Sequence, residues 1–328
     1  MLLQKELVMK NKYWISAIIA LFLWGIHGPA GRYLALNNVD MNFVFSFRLW
    51  IGTIVFFTFL LLKKSLRFNW LEDWKQILFI SAIGLVANTI VFHLTLKYLP
   101  GTFVMILESM APIFVLMATL IIYGLKPKIS EMFALIISFS GVLLIVMGKD
   151  SFPELSDHYY LGILLGILTG VTFGAYIFFS ADLLRKYRSN ELPPAPLREG
   201  GKIVPPSPRG AGVSSVSINV VKFQIRIMLI AAIVCTPFML SSNALPSTPT
   251  QWFWILEMGI FQSGLAYLLW SFALVYIKAN TASILFLLTI LFTTINEVLF
   301  LNLKLNLYLI VGAVLICVAT ASLPLAKK

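Results

Sequence analysis

Apolar stretches of about 20 residues recur along the chain, separated by short polar breaks. They fall at 13–36, 42–62, 76–98, 102–124, 130–148, 160–183, 219–240, 252–276, 280–302 and 306–325. A helix of about 20 residues covers the roughly 30 Å of a bilayer's hydrocarbon core, because each residue advances about 1.5 Å. The pattern therefore predicts an all-α integral membrane protein with ten transmembrane helices. The first stretch is too long for the apolar part of a signal peptide, lacks a small-x-small cleavage site and is followed by nine more, so it is read as a span.

Composition agrees: of 328 residues, 59% are hydrophobic and only 12% charged, and the mean hydropathy is +0.90. The net charge is +11, and where the basic residues lie decides what it means. Nineteen of the 25 Lys and Arg occupy alternate connections, such as Lys63, Lys64, Arg67 and Lys75, or Lys126 and Lys128. The excess of basic residues on the cytoplasmic side of such proteins places both termini in the cytoplasm. No nucleic-acid partner is expected; the expected partners are the bilayer of a bacterial inner membrane and a small-molecule substrate. Cys235 and Cys317 sit inside apolar stretches, which gives neither a disulfide framework nor a thiolate metal site.

The chain also repeats itself. At an offset of 178, FSFRLWIG (45–52) lies over FQIRIMLI (223–230), so Arg48 matches Arg226 and Tyr98 matches Tyr276. Spans two to five thus recur as seven to ten. Span one matches span six only at an offset of 149, and the 29-residue difference corresponds to a segment at 190–218, NELPPAPLREGGKIVPPSPRGAGVSSVSI, which holds six of the 15 prolines. That composition reads as a disordered cytoplasmic insertion. The domains are then a five-helix repeat at 13–148 and a second at 160–325 interrupted by the insertion. With an odd number of spans per repeat, the second half must sit inverted relative to the first, the plan of secondary transporters with a site between the halves.

With these features the chain resembles the ten-helix EamA-type members of the drug/metabolite transporter superfamily. The resemblance rests on Trp24-Gly25, the arginine of FSFRLW, Ala111-Pro-Ile-Phe114, Gly141 to Gly148 and Phe272 to Tyr276. It implies alternating access through a cavity lined by spans one, three, four, six, eight and nine, with five and ten packed outside. Leu125 and Leu303 stand where the family often carries an acidic residue, and Ile290 stands where a second-half proline would match Pro112.

Ionisable side chains within spans are costly and need a partner or water. Glu108 is the leading candidate: Pro112, four residues on, has no N–H for the Glu108 carbonyl, so a carboxyl and a freed carbonyl share a face suited to an amine, a cation or a proton. The competing reading is an ion pair with Arg48. Thr289, Thr293 and Asn296 form a polar stripe on span nine that either lines a cavity or bonds to neighbouring helices, with Glu297 one position off it. Trp24 and His27 face the same way on span one, their counterparts at the 149 offset are Phe173 and Tyr176 of span six, with Trp24, His27 and Tyr176 read as cavity wall, and Tyr267 and Trp270 share a face of span eight. Asn88 lies at mid-membrane, whereas His93, about 140° around the same helix, is read as solvated near the interface. Arg48 and Arg226 are read as repeated helix tethers, with Asp182 the expected partner of Arg226. Gly162, Gly166, Gly170 and Gly174 form a close-packing seam on span six.

No GxxxxGK, HExxH or GxSxG occurs, and no histidines have metal-ligand spacing, so an enzyme, ATP-driven transport, a cofactor and a metal site have no sequence support. The expected function is secondary transport of a small organic metabolite, amino-acid-like or zwitterionic, outward and with proton coupling. The alternatives are uptake of a metabolite, or a non-transporting membrane scaffold.

Overall fold

A computed structural model describes residues 2–66, 69, 71–95, 98–99, 101–147, 159–191, 197–199, 202–204, 213–301 and 306–325. The helices are α1 (Leu2–Gly25), α2 (His27–Leu36), α3 (Met41–Leu62), α4 (Trp74–Phe79), α5 (Asn88–Thr95), α6 (Gly101–Glu108), α7 (Ala111–Tyr123) and α8 (Ile129–Met147). They continue with α9 (Tyr159–Glu191), α10 (Val213–Leu240), α11 (Pro249–Glu257), α12 (Tyr267–Tyr276), α13 (Ala279–Phe286), α14 (Leu288–Leu301) and α15 (Leu307–Leu325). Two π-helical stretches, Ile80–Ala87 and Met258–Ala266, join α4 to α5 and α11 to α12.

By length and apolar composition, eight helical segments, some with an internal break, reach a spanning length among the described residues. The apolar parts of α8 and α15, Ile129–Ile145 and Leu307–Ser322, are shorter. Large apolar side chains such as Ile121, Phe133 and Leu164 are exposed around the outside, as a lipid-facing surface requires. The protein is a multi-pass membrane protein.

Several expected spans are not continuous α-helices. The first breaks at Ile26, ahead of Pro29. The fourth breaks at Ser109–Met110, ahead of Pro112, where the Ser109 and Met110 amides donate to the Met105 and Leu107 carbonyls at 2.9 and 3.1 Å. The ninth breaks at Leu287 with no proline: Ile290 keeps its N–H and donates it to the Leu287 carbonyl at 3.2 Å. These landmarks recur with the sequence offset: the π-helical stretches begin at Ile80 and Met258, the breaks fall at Ser109 and Leu287, and α8 and α15 begin at Ile129 and Leu307, each pair 178 positions apart. The offset of 178 found between residue matches is thus also the spacing of these backbone landmarks.

α3 packs along α10, and α8 packs along α15. In the second pair a Cβ on Gly141 would lie 2.6 Å from the Gly312 carbonyl oxygen, so only glycine lets these backbones approach. α9 lies centrally against α5, α6, α7 and α12, and its glycine seam faces the break in the fourth span, with Gly170 against the Leu107 carbonyl. The largest fully buried side chains are aromatic: Trp270, Tyr176, Phe56 and Phe223. Cys235 is buried and Cys317 exposed.

Within the segment expected to be a disordered insertion, Leu197–Glu199 and Lys202–Val204 pair as a short antiparallel hairpin, and α9 and α10 extend into its two ends. The rest of that expectation, residues 192–196, 200–201 and 205–212, lies outside the described residues.

Candidate functional site

The breaks and π-helical stretches converge on a cavity that holds about 650 Å³ of empty space, counting its open side. Trp24, His27, Arg48, Asn88, Glu108, Tyr267 and Thr289 of the sequence candidates line it. Each is placed by an irregularity or a packed neighbour. His27 opens α2 beyond the Ile26 break, and Glu108 ends α6 where Pro112 stops the helix from continuing. Asn88 and Tyr267 are the first α-helical residues after the two π-helical stretches, at positions one apart from strict repeat equivalence.

Asn88 holds the acidic wall. Its Nδ2 lies 3.3 Å from Glu108 Oε1, 3.1 Å from the Thr169 carbonyl and 3.3 Å from Thr172 Oγ1, tying α5 to α6 and α9. The basic wall is separate: Arg48 Nη1 lies 3.0 Å from His27 Nδ1. An ion pair with Arg48, the competing reading of Glu108, is not formed: each side chain lies beside a different group, His27 for Arg48 and Asn88 for Glu108.

Below the charged groups the wall becomes aromatic. The Trp24 ring lies 5.1 Å from Tyr267, 5.5 Å from Trp270, 6.1 Å from Phe173 and 6.2 Å from Phe286, and its Nε1 donates to the Gln262 carbonyl at 3.2 Å. Tyr176 and Trp270 belong to this layer as fully buried packing rather than as cavity lining. Tyr176 Oη accepts from Gln224 Nε2 at 3.1 Å, and the same Gln224 amide bonds to the Tyr267 carbonyl and to Ser271 Oγ.

Three sequence expectations need correction. His93 also lines the cavity, with its ring 4.3 Å from Phe45 and Nδ1 donating to the Thr89 carbonyl at 2.7 Å. Helical angle alone set it apart from Asn88, but the cavity wraps around α5 and takes side chains from more than one face. Arg226 does not pair with Asp182: its guanidinium donates to the Glu72 carbonyl at 2.6 Å and to Tyr187 Oη at 3.0 Å, while Asp182 accepts from Tyr123 Oη at 2.7 Å. The carbonyl at the end of a neighbouring connection reaches Arg226, and Asp182 points toward α7. Third, Thr293 and Asn296 do not line this cavity; they are buried deeper along α14, where Thr293 Oγ1 and Asn296 Nδ2 have no hydrogen-bond partner. The side chain of Glu297 lies outside the described residues.

Sequence reasoning missed Gln262 and Glu257. Gln262 lines the cavity, accepts near His27 and donates to Glu257 Oε2 at 2.9 Å. Their five-residue spacing looks unrelated on an α-helix and becomes one turn only in the π-helical stretch. Among the described residues no group of three or more His, Cys, Asp or Glu is arranged to hold a metal.

A membrane-embedded helical bundle with a polar, half-aromatic cavity lined from both halves of the chain is the architecture of a solute carrier. The chain belongs to the EamA-like transporter family, whose sequence profile matches residues 11–147 and 211–323. It is 27% identical over 180 residues to an uncharacterized transporter of Archaeoglobus fulgidus, a match spanning 54% of this chain and 60% of that one. It is 23% identical over 271 residues to the biotin transporter of Escherichia coli K12, covering 81% and 78% of the two chains. An uncharacterized transporter of Bacillus subtilis, YdfC, is 27% identical over 173 residues, 53% of this chain and 55% of that one. A crystal structure of another protein superposes on 96% of this chain and 97% of its own with a TM-score of 0.72 at 14% identity, a likeness of fold.

Proposed function

We propose that this transporter carries a small organic metabolite, amino-acid-like or otherwise zwitterionic, outward across a bacterial inner membrane by proton-coupled alternating access. The observation that carries the reading is that Arg48 and Glu108 open onto one cavity, each beside a neutral group, His27 for one and Asn88 for the other. Opposite charges kept apart across a cavity offer a site to a solute that brings both charges. The aromatic layer of Trp24, Phe173, Tyr267 and Phe286 suits an apolar body between them.

In this reading α8 and α15 complete ten spans in two inverted repeats with both termini cytoplasmic, supported by the recurrence of the backbone landmarks and by the basic residues of alternate connections. The outward direction follows the family resemblance. The relative named as a biotin transporter supports a small organic solute as cargo.

The test is a metabolite-flux screen in proteoliposomes with an imposed pH gradient, run with wild type and Glu108→Gln. The expected result is a zwitterionic solute driven against its gradient by protons, with driven flux lost in the variant while its folding is retained. Gradient-independent flux that survives Glu108→Gln with altered stability would leave Glu108 a structural residue. Accumulation rather than extrusion in right-side-out vesicles would reverse the direction.

A further inference from the structure

Glu257, Gln262, His27 and Arg48 form a polar chain that runs from the end of α11 to the cavity wall. Glu257 ends α11 and Gln262 lies in the π-helical stretch. Five residues on an α-helix differ by about 140° in direction, whereas an i→i+5 turn brings them together. Gln262 Nε2 donates to Glu257 Oε2 at 2.9 Å, Gln262 Oε1 lies 2.8 Å from His27 Nδ1, and the same Nδ1 lies 3.0 Å from Arg48 Nη1. Glu257 Oε1 and Arg48 Nε are buried without hydrogen-bond partners.

The four groups do not satisfy one another simultaneously, because Nδ1 of a neutral imidazole either donates or accepts. With Glu257 ionised, Gln262 presents its N–H to the carboxylate and its Oε1 to His27. Nδ1 must then carry the ring proton, so Arg48 Nη1 faces an N–H and has no acceptor there. With Glu257 protonated on Oε2, the oxygen that faces Gln262, the amide turns over and its Oε1 accepts from the carboxyl O–H. Gln262 and Arg48 then both present N–H groups to Nδ1, which becomes the acceptor, and the ring proton sits on Nε2. The imidazole keeps one proton throughout; that proton leaves Nδ1 and returns at Nε2 by exchange with water, while the proton on Glu257 comes from the solution.

We propose that Glu257 is a positioning residue whose proton is read at Arg48: the ionised carboxylate frees the guanidinium for an anionic group in the cavity, and the protonated carboxyl commits it to His27. Binding of a proton and of a carboxylate-bearing solute would then exclude each other, a consequence that rests on the transport reading above. Charge alone gives the opposite sign, since an ionised Glu257 repels an anion approaching Arg48. Among the described residues, the other titratable groups around the chain are Tyr33 of α2, whose ring lies 6.3 Å from Trp254 of α11, Tyr267 of the same span, Cys235 of α10 on the Arg48 side, and Glu108 and His93 on other cavity walls. The π-helical stretch itself has none.

The experiment needs no substrate. The protein has three histidines, so ¹⁵N-histidine labelling of the full chain in lipid nanodiscs, with His93→Gln and His158→Gln for assignment, reports the His27 tautomer directly. From mildly alkaline to mildly acidic pH, the ring proton of wild-type His27 is expected to move from Nδ1 to Nε2. In Glu257→Gln the pH dependence is lost, and in Glu257→Asp it returns. Gln262→Met, which interrupts the chain without touching either end, also abolishes it and serves if Glu257→Gln does not fold. A His27 tautomer that ignores pH in the wild type, direct formation of the doubly protonated ring, or the same titration in the Gln262 variant would overturn the proposal. None of these outcomes bears on whether the protein transports, which the flux screen decides separately.

Discussion

Gly170→Ala tests whether the seam on α9 holds the broken fourth span in place. A methyl group on Gly170 would lie 2.7 Å from the Leu107 carbonyl oxygen and 3.3 Å from Phe114 Cε2, where ordinary contact begins near 3.4 Å. The nearer atom is backbone, so it does not swing aside as a side-chain tip would. Overpacking costs about 1–3 kcal/mol, and a backbone clash belongs at the upper end. Alanine's better helix propensity returns up to about 1 kcal/mol, which leaves a net loss of about 2 kcal/mol, or about 30-fold in the folded-to-unfolded ratio. Gly174→Ala is the internal control. Its methyl would lie 3.1 Å from the Ala111 carbonyl oxygen, a strain small enough for the propensity gain of about 1 kcal/mol to cancel it. Unfolding of both variants in mixed micelles of rising denaturing-detergent fraction gives the comparison. Leu107 immediately precedes Glu108, so driven flux should fall with Gly170→Ala and persist with Gly174→Ala. Equal stability of Gly170→Ala and wild type, or a larger loss for Gly174→Ala, would refute the packing argument.

Gln224→Leu removes the amide that serves Tyr176 Oη, the Tyr267 carbonyl and Ser271 Oγ in a fully buried position; unfolding measurements should show a loss of about 1–3 kcal/mol, and an unchanged midpoint would mean these groups find other partners. Ser46→Ala and Trp50→Phe each remove one link between α3 and α10, the bonds to the Cys235 carbonyl at 2.9 Å and to Thr236 Oγ1 at 3.0 Å. Each should cost about 0.6 kcal/mol, the mean for such bonds within membranes, and their double variant should show whether the two add. Asp73→Asn breaks the ion pair with Lys186 at 2.6 Å, whose lysine side chain is 52% exposed. A thermal melt should shift by less than the equivalent of about 1 kcal/mol, with the shift shrinking as salt rises.

Much of the site was legible because lipid makes polar residues conspicuous. Glu108, Arg48, His27 and Asn88 stand out in apolar runs for the same reason that they need a cavity or a partner, and all four line one. What misled was the assumption of regular α-helix. The angle between Asn88 and His93 implied different surroundings, yet both meet the cavity. The spacing of Glu257 and Gln262 hid a direct hydrogen bond that exists because the backbone there closes i→i+5 turns. Partner choice was the other gap: Arg226 took a backbone carbonyl and a tyrosine instead of Asp182, since any acceptor brought close by packing competes with a distant carboxylate.

Sequence alone determined the membrane class, because hydrocarbon thickness sets the length of apolar runs, and it gave the offset of 178 at which the backbone landmarks recur. It also marked Pro112, where the fourth span breaks, since a missing N–H is a property of the residue itself. Tertiary structure decided the rest. The break at Leu287 occurs with the Ile290 amide intact, so packing of α13 and α14 imposes it rather than local chemistry. Which charges meet, and which are kept apart, depends on distances between helices far apart in the chain. Arg48 and Glu108 stay unpaired across one cavity because His27 and Asn88 reach them first.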